Sequence, residues 1–216
     1  MNDQTPNGTP LSIARDYASG RPHRHHRELL PILLNSLHPL GAGARILDAG
    51  CGNGVISAEL LKCGFKVKGI DVSGSGIDIC RRACPEGEFH VASICDPHVN
   101  KIIGDGFDAI VASEVVEHIY SPMEFMDNCR RLLKNEGLLV LSTPYHGYLK
   151  NLLLALTGRM ESHFQVDHDG GHIKFWSRRS LENMLHRHGF RVVGFVGCGR
   201  IPFLWRSMVV KAVKTG

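Results

Sequence analysis

A glycine-rich turn between two carboxylates is the first place in this sequence where residue types and spacing could do chemistry. An apolar run ends at Asp48-Ala49, the turn places glycines at positions 50, 52 and 54, and Asp71 closes the next apolar run. Glycine lets the chain turn tightly and lets a ligand approach the backbone. A helix that begins after such a turn directs its N–H groups at the ligand, and an acid after the next strand can accept hydrogen bonds from a ribose diol. The pattern predicts a site for a ligand that contains adenosine.

The spacing of the glycines separates two classes of ligand. A dinucleotide site has the pattern G-x-G-x-x-G, whereas Gly50 to Gly54 reads G-x-G-x-G and follows Asp48. A carboxylate beside the turn would repel a pyrophosphate, but it suits the ammonium and sulfonium groups of S-adenosylmethionine. The alternative is a glycine turn that serves only the packing of helix against strand.

The acid, the glycine turn and the second acid resemble the first two motifs of the class I methyltransferases, and this resemblance implies S-adenosylmethionine as cofactor. In related methyltransferases an N-terminal helix covers the cofactor, and a basic residue there meets the methionine carboxylate, which suggests Arg27 for that contact. The predicted cofactor residues are Arg27, Asp48, Gly50, Cys51, Gly52, Gly54, Asp71, Val72, Ser93, Ile94 and Ser113.

A second set of reactive side chains follows the fourth predicted strand. If Glu114 opens a helix, Glu117 and His118 lie three and four residues further on and share its face. The alternative is that acids merely favour a helix N-terminus. A later loop supplies His172, flanked by glycines and aromatic residues.

These two segments resemble the ubiquinone-biosynthesis O-methyltransferases and, more distantly, the enzymes that methylate the 2′-hydroxyl at the 3′ end of small RNAs. The resemblance implies a divalent metal (Mg, Mn, Fe or Zn) held by Glu114, Glu117, His118 and His172. If no metal binds, His118 or His172 is expected to be the catalytic general base.

The alternation of predicted strands and helices favours an α/β fold. We expect a Rossmann-like, doubly wound sheet of about seven strands, mostly parallel, with an antiparallel strand near the C-terminus. The predicted strands are 46–49, 65–70, 88–92, 107–113, 138–142, 190–196 and 205–213, and the predicted helices are 28–37, 55–63, 76–83, 123–133 and 180–188.

Composition suits one globular domain. The 216 residues carry 25 basic and 21 acidic side chains, a net charge of +4 that is too small to indicate a nucleic-acid partner by itself. Seven cysteines without a C-x-x-C pair indicate free thiols and therefore a cytoplasmic location. No apolar run is long enough to span a bilayer, so any membrane contact is expected to be peripheral. We expect a disordered tail over residues 1–15 and a single class I methyltransferase domain over 16–216, with a lid or insertion over 146–176. The oligomeric state is not indicated.

The expected function is methyl transfer from S-adenosylmethionine to a hydroxyl of a small molecule, a catechol-like compound or a polyprenyl quinol precursor of ubiquinone. The first alternative is methylation of a sugar or of the terminal ribose of RNA. The second is a non-catalytic protein that binds S-adenosylmethionine, which the intact acids and histidines argue against. The leucine-rich segment 148–156 is read either as a lid or as a membrane contact, because the comparable insertion of the ubiquinone enzymes is thought to touch membrane.

Overall fold

A computed structural model describes residue 17, residues 24–164 and residues 170–216. The predicted tail over 1–15 lies outside the described residues. In the described part, seven strands form one sheet in the order β3-β2-β1-β4-β5-β7-β6. The strands are β1 (Arg45–Ala49), β2 (Lys66–Asp71), β3 (Glu88–Val91), β4 (Phe107–Ser113), β5 (Leu133–Pro144), β6 (Phe190–Cys198) and β7 (Ser207–Lys214).

Strand direction follows the prediction. Strands β1 to β5 pair in parallel, and β7 lies antiparallel between β5 and β6. The expected Rossmann-like α/β sheet is therefore confirmed. The carboxyl ends of the five parallel strands meet at one edge, where open α/β sheets bind their ligands.

Helices cover both faces of this sheet. They are α1 (Arg24–Leu37), α2 (Val55–Lys62), α3 (Gly74–Ala83), α4 (Val99–Ile103), α5 (Pro122–Leu132), α6 (Tyr148–Leu156), α7 (Met160–Phe164) and α8 (Arg178–Arg187), with a 3-10 turn over His38–Leu40. Side chains alternate between the faces, so Ile46 packs with α1 and α2 while its neighbour Leu47 packs with α4, α5 and α8. Central strands buried on both faces explain why the sequence shows apolar runs rather than alternation there.

Strand β5 differs from its predicted form. Asn135-Glu136-Gly137, between the predicted helix 123–133 and the predicted strand 138–142, is a typical turn sequence, but β5 already begins at Leu133. Phe107 pairs with Leu133 and Ala109 with Leu138, so four residues of β5 lie between these pairs opposite one residue of β4. Glu136 has a φ of 57° inside this irregularity, which shows that the turn residues form a bulge within the strand.

The predicted lid segment contains α6 and α7 and follows the carboxyl end of β5, while residues 165–169 within it lie outside the described part. Among the described residues, no helix combines the length and apolar character that crossing a membrane requires.

Candidate functional site

The glycine turn between β1 and α2 is fixed by backbone conformation and by bonds to β2. Gly50, Gly52 and Gly54 have φ values of 81°, 54° and 82°, a region that strains residues with a Cβ. The amides of Gly50 and Cys51 both donate to the carbonyl of Ile70, at 2.7 and 3.0 Å. A Cβ on Gly50 would collide with the side chain of Val115. Gly50 is thus required by packing as well as by any ligand that approaches the turn.

Asp71, at the carboxyl end of β2, holds the turn in place. Its Oδ2 accepts from the amide of Gly52 at 2.9 Å and its Oδ1 from the amide of Ser73 at 2.8 Å. Burial raises the pKa of this carboxyl, although the bonds from these backbone amides oppose the rise. Each carboxylate oxygen has a further lone pair, so Asp71 can shape the turn and still accept from a ribose. The ribose contact itself stays a prediction.

Asp48 is buried beneath the same turn. It is 1% exposed, and its Oδ2 accepts from the hydroxyl of Ser57 at 2.7 Å. Its Oδ1 has no hydrogen-bond partner among the described residues. Burial raises the pKa of Asp48 to about 7, with a smaller contribution from Asp71, while the Ser57 hydroxyl lowers it. A cation bound nearby would favour the ionised form of this carboxyl.

Tyr17 lies over the glycine turn and was not among the predicted site residues. Its amide donates to the hydroxyl of Ser75 at 3.2 Å. A Cβ on Gly52 would lie 2.7 Å from the Tyr17 hydroxyl, and one on Gly76 would lie 3.0 Å from its ring. No local motif marks this tyrosine, because only the folded chain brings it to the turn. Arg27 is exposed on α1, and its contact with a methionine carboxylate stays a prediction.

The remaining predicted cofactor residues lie at the same edge of the sheet. Val72 follows β2, and the hydroxyl of Ser93, after β3, accepts from the amide of Cys95 at 3.1 Å. Ile94 is buried, and its carbonyl accepts from the side chain of Asn128 at 2.7 Å. Ser113 ends β4 and shares a 2.9 Å hydrogen bond with the hydroxyl of Ser142.

The segment after β4 is a turn, so the prediction that Glu114 opens a helix is wrong. Glu114 has a φ of 57°, and its amide donates to the carbonyl of Ser142 at 3.0 Å. The chain stays bonded to β5 at this residue, and the left-handed conformation there prevents a helix from starting. His118 closes a short turn by donating its amide to Val115 at 2.9 Å, and helix α5 begins only at Pro122.

This turn separates Glu114 from the other three predicted metal ligands. The carboxylate of Glu114 accepts from the hydroxyls of Ser142, at 3.0 Å, and Ser207, at 3.5 Å. It therefore faces β5 and β7, and among the described residues it does not join the group formed by Glu117, His118 and His172. The family resemblance implied its role as a fourth ligand; the positions of the described residues do not support that role, which stays a prediction.

Glu117, His118 and His172 do converge. One ligand atom of each lies within 4.8 Å of the others, and the two imidazole rings are 5.0 Å apart. Hydrogen bonds of the backbone bring the His172 loop to this position. The amides of Ile173 and Lys174 both donate to the carbonyl of Glu117, at 2.9 and 3.0 Å. The structure thus brings together three of the four residues predicted to hold a metal, and metal binding itself stays a prediction.

The electrostatics of this group fit a divalent cation. Glu117 is fully buried. Among the residues that the structure describes, neither of its carboxylate oxygens has a hydrogen-bond partner of good geometry, although the Thr143 hydroxyl lies close enough to favour the ionised form. Burial first, and then the charge of Glu114, raise the pKa of Glu117 well above its usual range. His118 Nδ1 lies 3.1 Å from the carbonyl of Gly171. If Nδ1 carries the proton and donates to this carbonyl, Nε2 keeps the lone pair that a metal needs.

Four aromatic side chains form a further cluster that the sequence did not predict. His146, just after β5, contacts His163 and Phe164 of α7 and Phe175 of the His172 loop, with ring centroids 5.1 to 5.7 Å apart. Burial, assisted by the charge of Lys150, lowers the pKa of His146 to about 4. A neutral ring at His146 thus joins the end of β5, the lid helix α7 and the loop that holds His172.

Comparison with known proteins agrees with this arrangement. A family model described as a methyltransferase domain matches residues 21–194. The chain belongs to this methyltransferase family. The sequence is also similar to those of individual ubiquinone biosynthesis O-methyltransferases. It is 32% identical over 122 residues to the enzyme of that name from Actinobacillus pleuropneumoniae, which covers 54% of this chain and 52% of the relative.

One further relative and one solved structure also resemble the chain. The ubiquinone biosynthesis O-methyltransferase of Bradyrhizobium diazoefficiens is 34% identical over 125 residues, which covers 58% of this chain and 49% of that protein. The chain thus spans about half the length of the curated relatives it matches. The crystal structure of magnesium protoporphyrin IX methyltransferase from Synechocystis PCC 6803 with bound SAH has a TM-score of 0.66 at 17% identity, covering 92% of this chain and 90% of that one. That likeness concerns the fold.

Proposed function

We propose that this chain transfers a methyl group from S-adenosylmethionine to a hydroxyl of a small molecule, with a divalent metal on the acceptor side. The observation that carries the proposal is the convergence of Glu117, His118 and His172 at the sheet edge that also bears the glycine turn. The proposed acceptor is a catechol-like compound, with a polyprenyl quinol precursor as the leading case. The names of the curated relatives support this acceptor class.

The cofactor half of the site binds and orients the methyl donor. In the proposed pose the adenosine ribose bonds to Asp71, and the glycine turn and the N-terminus of α2 accommodate the rest of the cofactor. Asp48 would offset the positive charge of the donor from beneath the turn. Tyr17 would cover the bound cofactor and exclude water. Binding of this kind contributes to catalysis mainly through proximity and orientation, because the methyl group moves by an in-line displacement.

The acceptor half must remove a proton from the attacking hydroxyl. In the transfer, the acceptor oxygen bonds to the methyl carbon as the carbon–sulfur bond breaks, and the hydroxyl proton leaves. Glu117, His118 and His172 would hold the metal through one carboxylate and two imidazoles, a mixed donor set that suits Mg, Mn, Fe or Zn. A bound cation would lower the pKa of the acceptor hydroxyl and orient it. Without a metal, His118 or His172 would accept the proton directly.

RNA is a less favoured acceptor. Recognition of RNA requires aromatic rings on which bases stack, together with basic side chains along the backbone. Two of the basic and aromatic residues that could contact RNA instead make contacts within the protein. Arg178 pairs with Glu182 at 2.7 Å and lies over the ring of Phe195, and the indole of Trp176 donates to the carbonyl of Val116 at 3.2 Å. We therefore keep a small molecule as the proposed acceptor.

Helix α6 is proposed to contact either a membrane interface or the apolar tail of the acceptor. Tyr148 is 83% exposed and Leu156 74% exposed, and Leu149, Leu152 and Leu153 are also exposed. An amphipathic helix of this kind can lie in the plane of a bilayer surface without spanning it. A lid that closes over a polyprenyl chain would expose the same residues in the absence of substrate.

The test of the proposed function is methyl transfer with labelled cofactor. The protein is incubated with S-adenosylmethionine labelled in the methyl group and with catechols, polyprenyl phenols, sugars and short RNAs in parallel. Label in a catechol or polyprenyl phenol is the expected result. Label only in sugar or RNA would replace the proposed acceptor, and tight cofactor binding without transfer to any acceptor would favour the non-catalytic alternative. The matched variant Glu117→Ala should lose transfer, whereas Glu86→Ala, at an exposed site, should keep it.

A further inference from the structure

Lys150 carries a buried charge that forms no ion pair with the described part of the chain. The residue lies in the first turn of α6 and is 6% exposed. Its Nζ donates to the carbonyl of Tyr145 at 2.7 Å. An ammonium group has three donors, and in the part of the chain that the structure describes no carboxylate lies within ion-pair distance of this one. Burying a charge without a counter-charge is costly, so a bound anion would stabilise this position.

The surroundings of Lys150 add positive charge. The amide of Tyr145 donates to the carbonyl of Arg206 at 3.1 Å, and the amide of Arg206 donates to Gly199 at 3.1 Å, next to Arg200 in the β6–β7 connection. Burial, then Arg200 and to a smaller extent Arg206, lower the pKa of Lys150 to about 8, while Glu114 raises it.

The nearby acids are already engaged. Glu114 bonds to serine hydroxyls, as described above, and Glu28 pairs with Arg206 at 3.1 Å. Arg200 is exposed and has no hydrogen bond or ion pair to the described residues. Its backbone φ is 69°. This left-handed conformation is costly for residues other than glycine, and residues that adopt it are common at ligand sites. One buried cation and one exposed cation therefore lie near each other, and neither forms an ion pair with the described residues.

We propose that Lys150 and Arg200 form a subsite for an anionic group, a carboxylate or a phosphate, carried by the methyl acceptor. This inference rests on the proposed function, since it describes the acceptor of that same site. Lys150 follows the end of β5 and influences His146, whose ring contacts Phe175 of the His172 loop. The subsite is thus on the acceptor side, with Arg200 at the entrance and Lys150 at the buried end. The proposed catechol-like or quinol acceptor would then also carry a carboxylate or a phosphate ester.

Anion binding can be measured without turnover. Benzoate and phenyl phosphate are titrated calorimetrically into the full chain in the presence of a chelator, so that a metal does not contribute. Lys150→Met should weaken binding of the preferred anion by about 30-fold or more, the loss expected when one partner of a buried charge pair is removed. Arg200→Gln should weaken it less. Lys62→Met, at an exposed lysine of α2, is the control. Whichever of benzoate and phenyl phosphate binds more tightly shows whether the anionic group of the acceptor is a carboxylate or a phosphate.

Folding and function are checked separately. Methionine has nearly the length of lysine and no charge, so melting curves should show that the Lys150→Met variant is folded. Arg200→Gln changes an exposed position and therefore tests the subsite even if Lys150→Met does not fold. The inference is overturned if neither anion binds the unaltered protein, or if both variants bind the anion as tightly as the unaltered protein does.

A parallel methyl-transfer assay compares protocatechuate with catechol. The unaltered protein should prefer protocatechuate if the anion is a carboxylate, and Lys150→Met should lose that preference. Anion binding that depends on Lys150, without methylation of any acceptor, would refute the proposed function and leave the subsite standing. Methylation with anion binding insensitive to Lys150 would refute the subsite alone.

Discussion

Replacing Glu117 with glutamine should reverse the order of stability of the two proteins when a divalent cation is added. The Glu117 carboxyl is fully buried, and its pKa is raised from the usual 4.5 by burial and by Glu114. The folded protein therefore holds this proton more tightly than the unfolded chain does. The stability that the protonated group contributes is complete below pH 4.5 and is lost as the pH rises towards the folded-state pKa.

The magnitude follows from the raised pKa of Glu117. At a pH above the unfolded-state value, each unit by which folding raises the pKa costs about 1.4 kcal/mol, because the folded protein must either bind a proton or bury a charge. Without metal above neutral pH, the glutamine variant avoids this cost and should therefore have a free energy of unfolding at least about 1 kcal/mol higher, or a melting temperature about 2 to 4 °C higher for a chain of this size. A metal at a hundred times its dissociation constant should stabilise the unaltered protein by about 2.7 kcal/mol. The glutamine variant lacks the carboxylate that would hold the metal, so added metal should stabilise it little.

Thermal unfolding at pH about 8, first with a chelator and then with excess manganese, measures both effects. Glu86→Gln, at an exposed position, is the control and should change neither curve. We expect the glutamine variant to melt higher in chelator and the unaltered protein to melt higher with metal. If chelator leaves the unaltered protein at least as stable as the variant and metal stabilises both equally, Glu117 is not a ligand and its burial has another explanation.

Two further predictions concern the cofactor and the lid. Asp71→Ala should weaken S-adenosylmethionine binding about ten- to a hundred-fold, because hydrogen bonds to a charged group contribute about 1.5 to 3 kcal/mol; calorimetry showing unchanged affinity, with Asp105→Ala as control, would contradict the assignment. The protein should co-sediment with anionic liposomes if α6 lies in an interface, and serine at both Leu152 and Leu153 should abolish this. Equal sedimentation of the two proteins would favour the lid.

The glycine turn and the sheet were predictable because their signals are local. Apolar runs predicted the strands, and glycines between Asp48 and Asp71 predicted the turn, since the conformations at Gly50, Gly52 and Gly54 depend on residue type at those positions.

The acceptor side depends on contacts between distant parts of the chain. Glu114 takes a left-handed conformation because its amide bonds to Ser142, twenty-eight residues away, and this bond replaced the predicted helix with a turn. Tyr17 reaches the glycine turn, and His146 meets α7 and the His172 loop, only after folding. The proximity of Glu117, His118 and His172 was predictable from resemblance to a known family, whereas the separate position of Glu114 was not.

The measurement that tests the account most directly is methyl transfer before and after metal removal, with cofactor binding followed in the same samples. The acceptor is the one most heavily labelled in the panel described above. We predict that a chelator abolishes transfer while S-adenosylmethionine still binds with nearly unchanged affinity, and that a returned divalent ion restores transfer to the unaltered protein but not to His172→Ala. A chelated protein that keeps full activity would contradict the metal site and leave His118 or His172 as the general base.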